Sequence, residues 1–443
     1  MRSFFYGAFL LVVLFTMGCE TTKTLTEKKQ KAFQNTTTQN IKVYEASSGL
    51  GPCEPSIFIN PVNTNNMVAG SVIDFVHTSF DGGLTWETNS LTSPLGIWGD
   101  PCIIADAEGN FYYLHLSDPE GTNWRSNKIL DRIVIQRSED GGKTWSDGNG
   151  IGLNPPKQQD KEWATTHPET GEIYVTWTEF DKYGSKNPED KSRILFSKSA
   201  DKGTSWTTPI AINEFDGNTL DDDLTVEGAV PAVGNDGSIY VAWSYDNKIY
   251  FDRSTDGGTT WLDNDIKITE QPGGWTQEIP GLGRTNGMPV TCVDNSKSDY
   301  AGTIYVNWTD QRNGSTNTDV FVSRSTDGGT TWNEPVRVND DATETHQFLT
   351  WMTVDAATGF IYVIYYDRSA YNDERTDVRL AFSSDGGKSF STRRISETPF
   401  VPNRTVFFGD YNNIHAYKGI VRPIWTRLDG DTLSVWTAIL DHK

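Results

Sequence analysis

The chain has 443 residues and carries 38 Lys and Arg against 59 Asp and Glu, a formal net charge of −21. That balance excludes the basic footprint that nucleic-acid binding needs and disfavours anionic membrane surfaces; it suits a solvated acidic exterior on an exported protein. Aromatics make up 12% of the chain and glycines number 40, so broad sheet faces and many turns are available, while helical periodicity is nearly absent.

The chain starts with Arg2, an apolar run from Phe4 to Met17, and Gly18-Cys19. The run is too short to span a bilayer and fits an export signal. A small residue before Cys resembles a bacterial lipoprotein processing site. That resemblance implies that residues 1–18 are removed, that Cys19 carries a lipid, and that the protein is anchored to a membrane of the cell envelope; simple secretion is the alternative. Residues 19–40 are rich in Thr, Lys and Gln and read as a flexible tether. Residues 41–443 read as a single repeat domain.

Within it a short box recurs: Ser, any residue, Asp, any residue, Gly, any residue, Thr or Ser, aromatic. The six copies are Ser79-Asp81-Gly83-Thr85-Trp86, Ser138-Asp140-Gly142-Thr144-Trp145, Ser199-Asp201-Gly203-Ser205-Trp206, Ser254-Asp256-Gly258-Thr260-Trp261, Ser325-Asp327-Gly329-Thr331-Trp332 and Ser383-Asp385-Gly387-Ser389-Phe390. Their spacing, about 55 to 71 residues, is the size of one four-stranded propeller blade with its loops. Strand-like segments flank each box, so the box is a hairpin turn. Its Asp accepts hydrogen bonds from the turn and its Gly takes a backbone angle other residues avoid. One active site does not need six copies, so these aspartates read as turn devices.

The box pattern resembles that of the sialidase-like Asp-box (BNR-repeat) propellers, and the resemblance covers essentially all of the expected mature chain. It implies an all-β propeller. The boxes alone count six blades, as in true sialidases. The strand rhyme between them counts seven: Ile173-Tyr174-Val175-Thr176-Trp177, Ile239 to Trp243 and Ile361 to Val363 recur, and a last unit after residue 410 has three strands and no box. The short strand Ile41 to Glu45 supplies the missing fourth, closing the ring and hiding two sheet edges. Seven blades is the preferred count and six the alternative.

In a propeller the box turns lie on one face. The loops entering the inner strands, and those joining second to third strands, lie on the other. That second face gathers Glu54, Asp100, Lys161, Glu162, Glu227, Arg284, Asn286, His346 and Asp410 from the first set, and Asp118, Trp124, Arg125, Tyr183, Tyr245, Arg312, Arg368 and Arg427 from the second. Trp98, Trp163 and Trp275 lie close by in sequence. Aromatic faces stack on sugar rings, carboxylates supply general acid and base, and arginines hold a carboxylate or sulfate with two nitrogens. The mix points to an anionic carbohydrate as partner.

Sialidases hold the sugar carboxylate with three arginines and use a Tyr–Glu nucleophile pair and an Asp acid/base. The resemblance therefore suggests Arg284, Arg312, Arg368 and Arg427 for the clamp, Glu227 with Tyr245 for the pair, and Asp100 or Glu54 for the acid; Asp410, on the same face, is a further candidate catalytic carboxylate. The chain departs from sialidases where their Arg-Ile-Pro signature belongs, carrying Glu54-Pro55-Ser56-Ile57 instead. Seven-bladed polysaccharide lyases offer a second enzyme reading, with His346 as base beside Arg284 or Arg368. A third is a non-catalytic propeller that binds glycan or protein.

Cys53, Cys102 and Cys292 remain beside Cys19. Cys53 and Cys102 flank equivalent points of neighbouring strands, so a disulfide and two buried thiols are both open. No Cys or His spacing suggests zinc. Asp221-Asp222-Asp223 reads as a solvated acidic loop or a calcium ligand set. No cofactor is expected, and the protein is expected to be a monomer.

Overall fold

The computed structural model describes residues 33–34, 38–46 and 50–442. Cys19, the apolar run and most of the expected tether lie outside the described residues. Phe33 does not: it is buried, stacked on Phe382 at 5.0 Å, and its carbonyl accepts from Arg393.

Seven four-stranded antiparallel sheets make up the described chain, so the count is seven and not six. In six of them the strands run outward in sequence order. The seventh is composite: Asn413–Tyr417, Ile420–Asp429 and Thr432–Asp441 are completed by Gln39–Ala46 from the other end of the chain. Its register runs from Gln39 opposite Ile439 to Ala46 opposite Leu433.

The strand rhyme explains how the blades pack. Each second strand is covered on both faces by neighbouring blades, so nearly every residue of it is buried. Trp177, Trp243, Trp308 and Tyr365 occupy the same step of that strand in four successive blades, and all are buried. Truncating one such Trp to Ala costs about 3–5 kcal/mol.

The boxes are turn devices and also joints. Asp256 accepts from Ser254 Oγ at 2.8 Å, Thr260 N at 2.9 Å and Thr260 Oγ1 at 2.7 Å, and the other five repeat this set. The glycine two residues after the box Asp has positive φ throughout, from 72° at Gly387 to 94° at Gly142. A Cβ on Gly258 or Gly329 would also fall 2.3 Å from Phe196 or Phe251 of the preceding blade. Side chains of that preceding blade hold box carbonyls: Arg324 Nη1 donates to Gly386 O at 2.8 Å, Asn149 to Gly203 O at 3.0 Å and Thr78 to Gly142 O at 3.1 Å.

At their opposite ends the inner strands enter through strained backbone. Glu54, Asp100, Lys161 and Leu349 have φ of 51°, 53°, 56° and 47°. Pairing slips between Asp160 and Trp163, between Glu227 and Val230, and between Phe348 and Trp351. Such bulges re-aim side chains that a regular strand would point into its neighbours. Two of the three carry acidic residues of one cluster, Asp160 and Glu162 in the first and Glu227 in the second. Trp163, Trp351 and Tyr411 plug the axis below them, with ring centroids 4.3 and 4.9 Å apart.

Candidate functional site

The entry bulges assemble a cluster of ionisable groups. Asp410 is its anchor: Lys161 Nζ donates to it at 2.6 Å, Arg284 Nε donates to Oδ1 at 2.8 Å, and Arg284 Nη2 closes on Oδ2. Burial alone would raise this carboxyl, but the two cations hold it at about 2. Lys161 also faces Asp100 at 3.5 Å. Glu54 Oε1 accepts the backbone N–H of Asp410 at 2.9 Å.

Cations are outnumbered in this cluster. Glu54, Asp100, Asp160, Glu162, Asp221, Glu227 and Asp410 share Lys161 and Arg284. Burial, reinforced by the neighbouring carboxylates, pushes the pKa values of Glu54, Glu162 and Glu227 well up. Asp100 is raised, and Asp160 is pushed up to about 7. Glu162 and Glu227 have no hydrogen-bond donor at either oxygen, and Asp100 Oδ2 has only the Lys161 ammonium at 3.5 Å. Such surroundings disfavour the charged form of a carboxyl.

Asp221, by contrast, has donors on both oxygens. Trp275 Nε1 donates to its Oδ1 at 2.9 Å, and Tyr183 Oη and Arg284 Nη1 reach its Oδ2 at 2.9 and 2.8 Å. Glu227 lies beneath it, raised further by the Asp221 charge. Gly228, at φ 77°, lets this layer close: a Cβ there would fall 2.9 Å from Trp275.

From Asp221 a cleft of about 860 Å³ opens across the face, lined by Trp275, Gln277, Glu278, Arg284, Thr316, His346 and Arg404 among others. His346 Nδ1 pairs with Thr318 Oγ1 at 3.0 Å, and burial with the nearby Arg368 charge lowers it to about 4, so its ring is neutral. On the other side of Asp221 lies an aromatic row. Tyr183 is 5.5 Å from Trp124, whose ring meets Trp98 edge-on at 6.2 Å.

Of the residues expected from sequence, Glu54, Asp100, Glu227, Arg284 and Asp410 come together, and His346 and Trp98 stand on either side of them. The three-arginine clamp does not form. Arg312 folds onto Asp310 and Arg427 onto Asp429, each two residues away. Arg368 is buried over Phe348, donating to Pro280 O and Thr376 Oγ1. Tyr245 packs against Tyr250 rather than Glu227; the tyrosine whose phenol faces the Glu227–Asp221 layer is Tyr183. Asp221 is no solvated loop residue, its side chain being only 12% exposed. Asp160 and Tyr183 carry no local signal that singles them out. Cys53 and Cys102 are buried free thiols, not a disulfide. Among the described residues no group of three or more His, Cys, Asp or Glu is placed to hold a metal ion.

No protein-family profile matches the chain, and no curated protein matches it in sequence. Among solved structures, a polysaccharide lyase of family PL25, an ulvan lyase bound to -[GlcA(1-4)Rha3S]-, matches with a TM-score of 0.54 at 12% identity, over 90% of this chain and 95% of that one. The NanB sialidase of Streptococcus pneumoniae gives 0.48 at 10% identity, over 77% of this chain and 68% of that one. The intramolecular trans-sialidase of Ruminococcus gnavus gives 0.46 at 12% identity, over 76% and 93%. At such identity the lyase match speaks to the fold alone.

Proposed function

We propose that this protein is a glycan-active propeller of the cell envelope that cleaves an anionic carbohydrate by acid–base chemistry on the face away from the boxes. The observation that carries this reading is the unequal pair Asp100 and Asp221, both under the charge of Arg284. Asp100 is raised by burial and by Asp410 against the pull of Lys161, whose ammonium stands 3.5 Å from its Oδ2; a raised carboxyl suits a general acid. Asp221 is an ion-paired carboxylate fixed by three donors, which suits stabilisation of positive charge at the sugar. Two carboxyls in opposite environments are what glycosidic cleavage requires.

The test is a screen of the purified mature chain against sialosides and uronate or sulfated polysaccharides. New reducing ends without unsaturation are expected, and Asp100→Asn should lower the rate by about 10²–10⁴-fold. Binding without any product would leave a non-catalytic glycan-binding propeller instead.

Elimination is the second reading. It is favoured by the neutral His346 at the cleft, a ready base, and by the likeness in fold to the ulvan lyase. An unsaturated uronate product, abolished by His346→Ala, would select it. The envelope location rests on Cys19: Cys19→Ser should shift the chain from the membrane fraction to the soluble one, and a chain that stays with the membrane would overturn the lipid anchor.

A further inference from the structure

We infer that the site takes an internal segment of a linear anionic polysaccharide, laid along the rim from Trp124 and Arg125 to His346 and Arg404, and not a terminal sugar. The inference rests on the glycan-active reading and names the form of its substrate.

The ionisable centre is not the floor of a closed pocket. It sits midway along an arc built from consecutive blades. Trp98 and Trp124 belong to the second blade, Tyr183 to the third, Asp221 to the entry of the fourth, Trp275 and Arg284 to the entry of the fifth, His346 to the entry of the sixth and Arg404 to the entry of the seventh. The contacts run in that order: Trp98 to Trp124 at 6.2 Å, Trp124 to Tyr183 at 5.5 Å, Tyr183 to Asp221 at 2.9 Å, then Asp221 to Trp275 and Arg284 at the lip of the cleft.

Each end of the arc is dressed for binding. Trp124 is 53% exposed, a large apolar face in water beyond its contacts with Trp98 and Tyr183. It stands on the short turn Asn123–Arg125, whose last residue, Arg125, is exposed. At the far end Arg404 lines the cleft and is likewise exposed. Among the described residues neither arginine has an ion-pair partner, whereas Arg284, Arg312 and Arg427 are all committed to carboxylates. A clamp for one sugar carboxylate gathers its cations at a point. Here two uncommitted arginines stand at opposite ends, with the acid centre between them. That spacing fits a repeating anion that continues past the centre in both directions.

The test measures affinity and product length for disaccharides, hexasaccharides and polymers of hyaluronan, chondroitin sulfate and alginate, with poly-glutamate as a non-sugar polyanion. For at least one series the affinity should rise about tenfold or more from di- to hexasaccharide, and cleavage should yield mid-chain fragments. Trp124→Ala and Arg404→Ala should each cut that length-dependent gain to below about threefold, while Lys143→Ala on the box face leaves it unchanged. Affinity independent of length, release of terminal units only, or poly-glutamate binding as tight as the glycan overturns the inference. Release of terminal units overturns it alone and leaves the glycan-active reading standing; no glycan bound at all removes both.

Discussion

Arg284 grips Asp410 through two nitrogens, and the same carboxylate takes the ammonium of Lys161 at 2.6 Å. Asp410 and Lys161 are 1% and 5% exposed, whereas Arg284 is 39% exposed. One buried carboxylate therefore bridges the cluster's two cations and ties the entry of the seventh blade to those of the third and fifth.

Removing that carboxylate should be costlier than removing the exposed arginine. Asp410→Asn strands Lys161 with Asp100 alone at 3.5 Å, and an orphaned buried charge costs about 3–5 kcal/mol. Arg284→Ala leaves Lys161 on Asp410 and should cost less. Denaturant unfolding of the two variants checks the order; equal losses would show that Asp410 does not act through Lys161.

The donor-free Glu162 predicts a pH dependence of known sign. Its folded pKa is raised well above the unfolded value, so the folded state holds the proton longer. Stability then falls as pH rises from about 4.3, the unfolded pKa, toward the folded one. Glu162→Gln removes the ionisation and should raise Tm by ~1–3 °C at pH 8 while changing little at pH 4. Calorimetry at both values decides, and a gain of equal size at pH 4 would contradict the assignment.

The boxes predict the opposite limb. Hydrogen bonds from the Thr or Ser of each turn hold Asp140, Asp201 and Asp327 at about 2. Their folded pKa lies below the unfolded one, so their contribution is complete above about pH 4 and is lost as pH falls through about 2. A triple Asp→Asn variant should be less stable at pH 6 yet show a flatter decline below pH 4. A decline as steep as the parent's would place the acid sensitivity elsewhere.

What the sequence made legible follows from where each interaction is encoded. The boxes and the Ile-Tyr-Val-x-aromatic strands are local patterns repeated in register, so they report blade number and face. The entry residues Glu54, Asp100, Glu227 and Asp410 could be placed because topology alone gathers them. The arginines were a different matter, although a local signal existed. Asp310-Gln311-Arg312 and Arg427-Leu428-Asp429 put opposite charges two residues apart, on one side of an extended chain, and such a pair closes on itself. No spacing tells Tyr183 from Tyr245. The first reaches Asp221, 38 residues on, because two loops fold together; the second meets Tyr250 across its own hairpin.

At the seam between the seventh and first blades the box of the first blade is held by Arg422. Its side chain is buried between the last blade and the first: Nε donates to Gly82 O at 2.8 Å, and Nη1 to Val421 O at 2.9 Å and Leu440 O at 3.0 Å. Gly82 is the first glycine of the first box, the position that Arg324 holds in Gly386. Arg422 thus does for the seam what arginines beside the boxes do elsewhere, but from the second strand. Its planar fork serves three carbonyls that a lysine cannot reach together. Arg422→Met keeps much of the apolar stem and leaves those carbonyls without donors, a loss of about 1–3 kcal/mol for each one that water cannot reach. The damage should be local. Hydrogen exchange should quicken in Gln39–Ala46 and Thr432–Asp441, which form the composite sheet, while Ile239–Tyr245 and Ile304–Asp310 keep their protection. Equal acceleration in all four strands would mean that the seam is no weaker than any other blade junction.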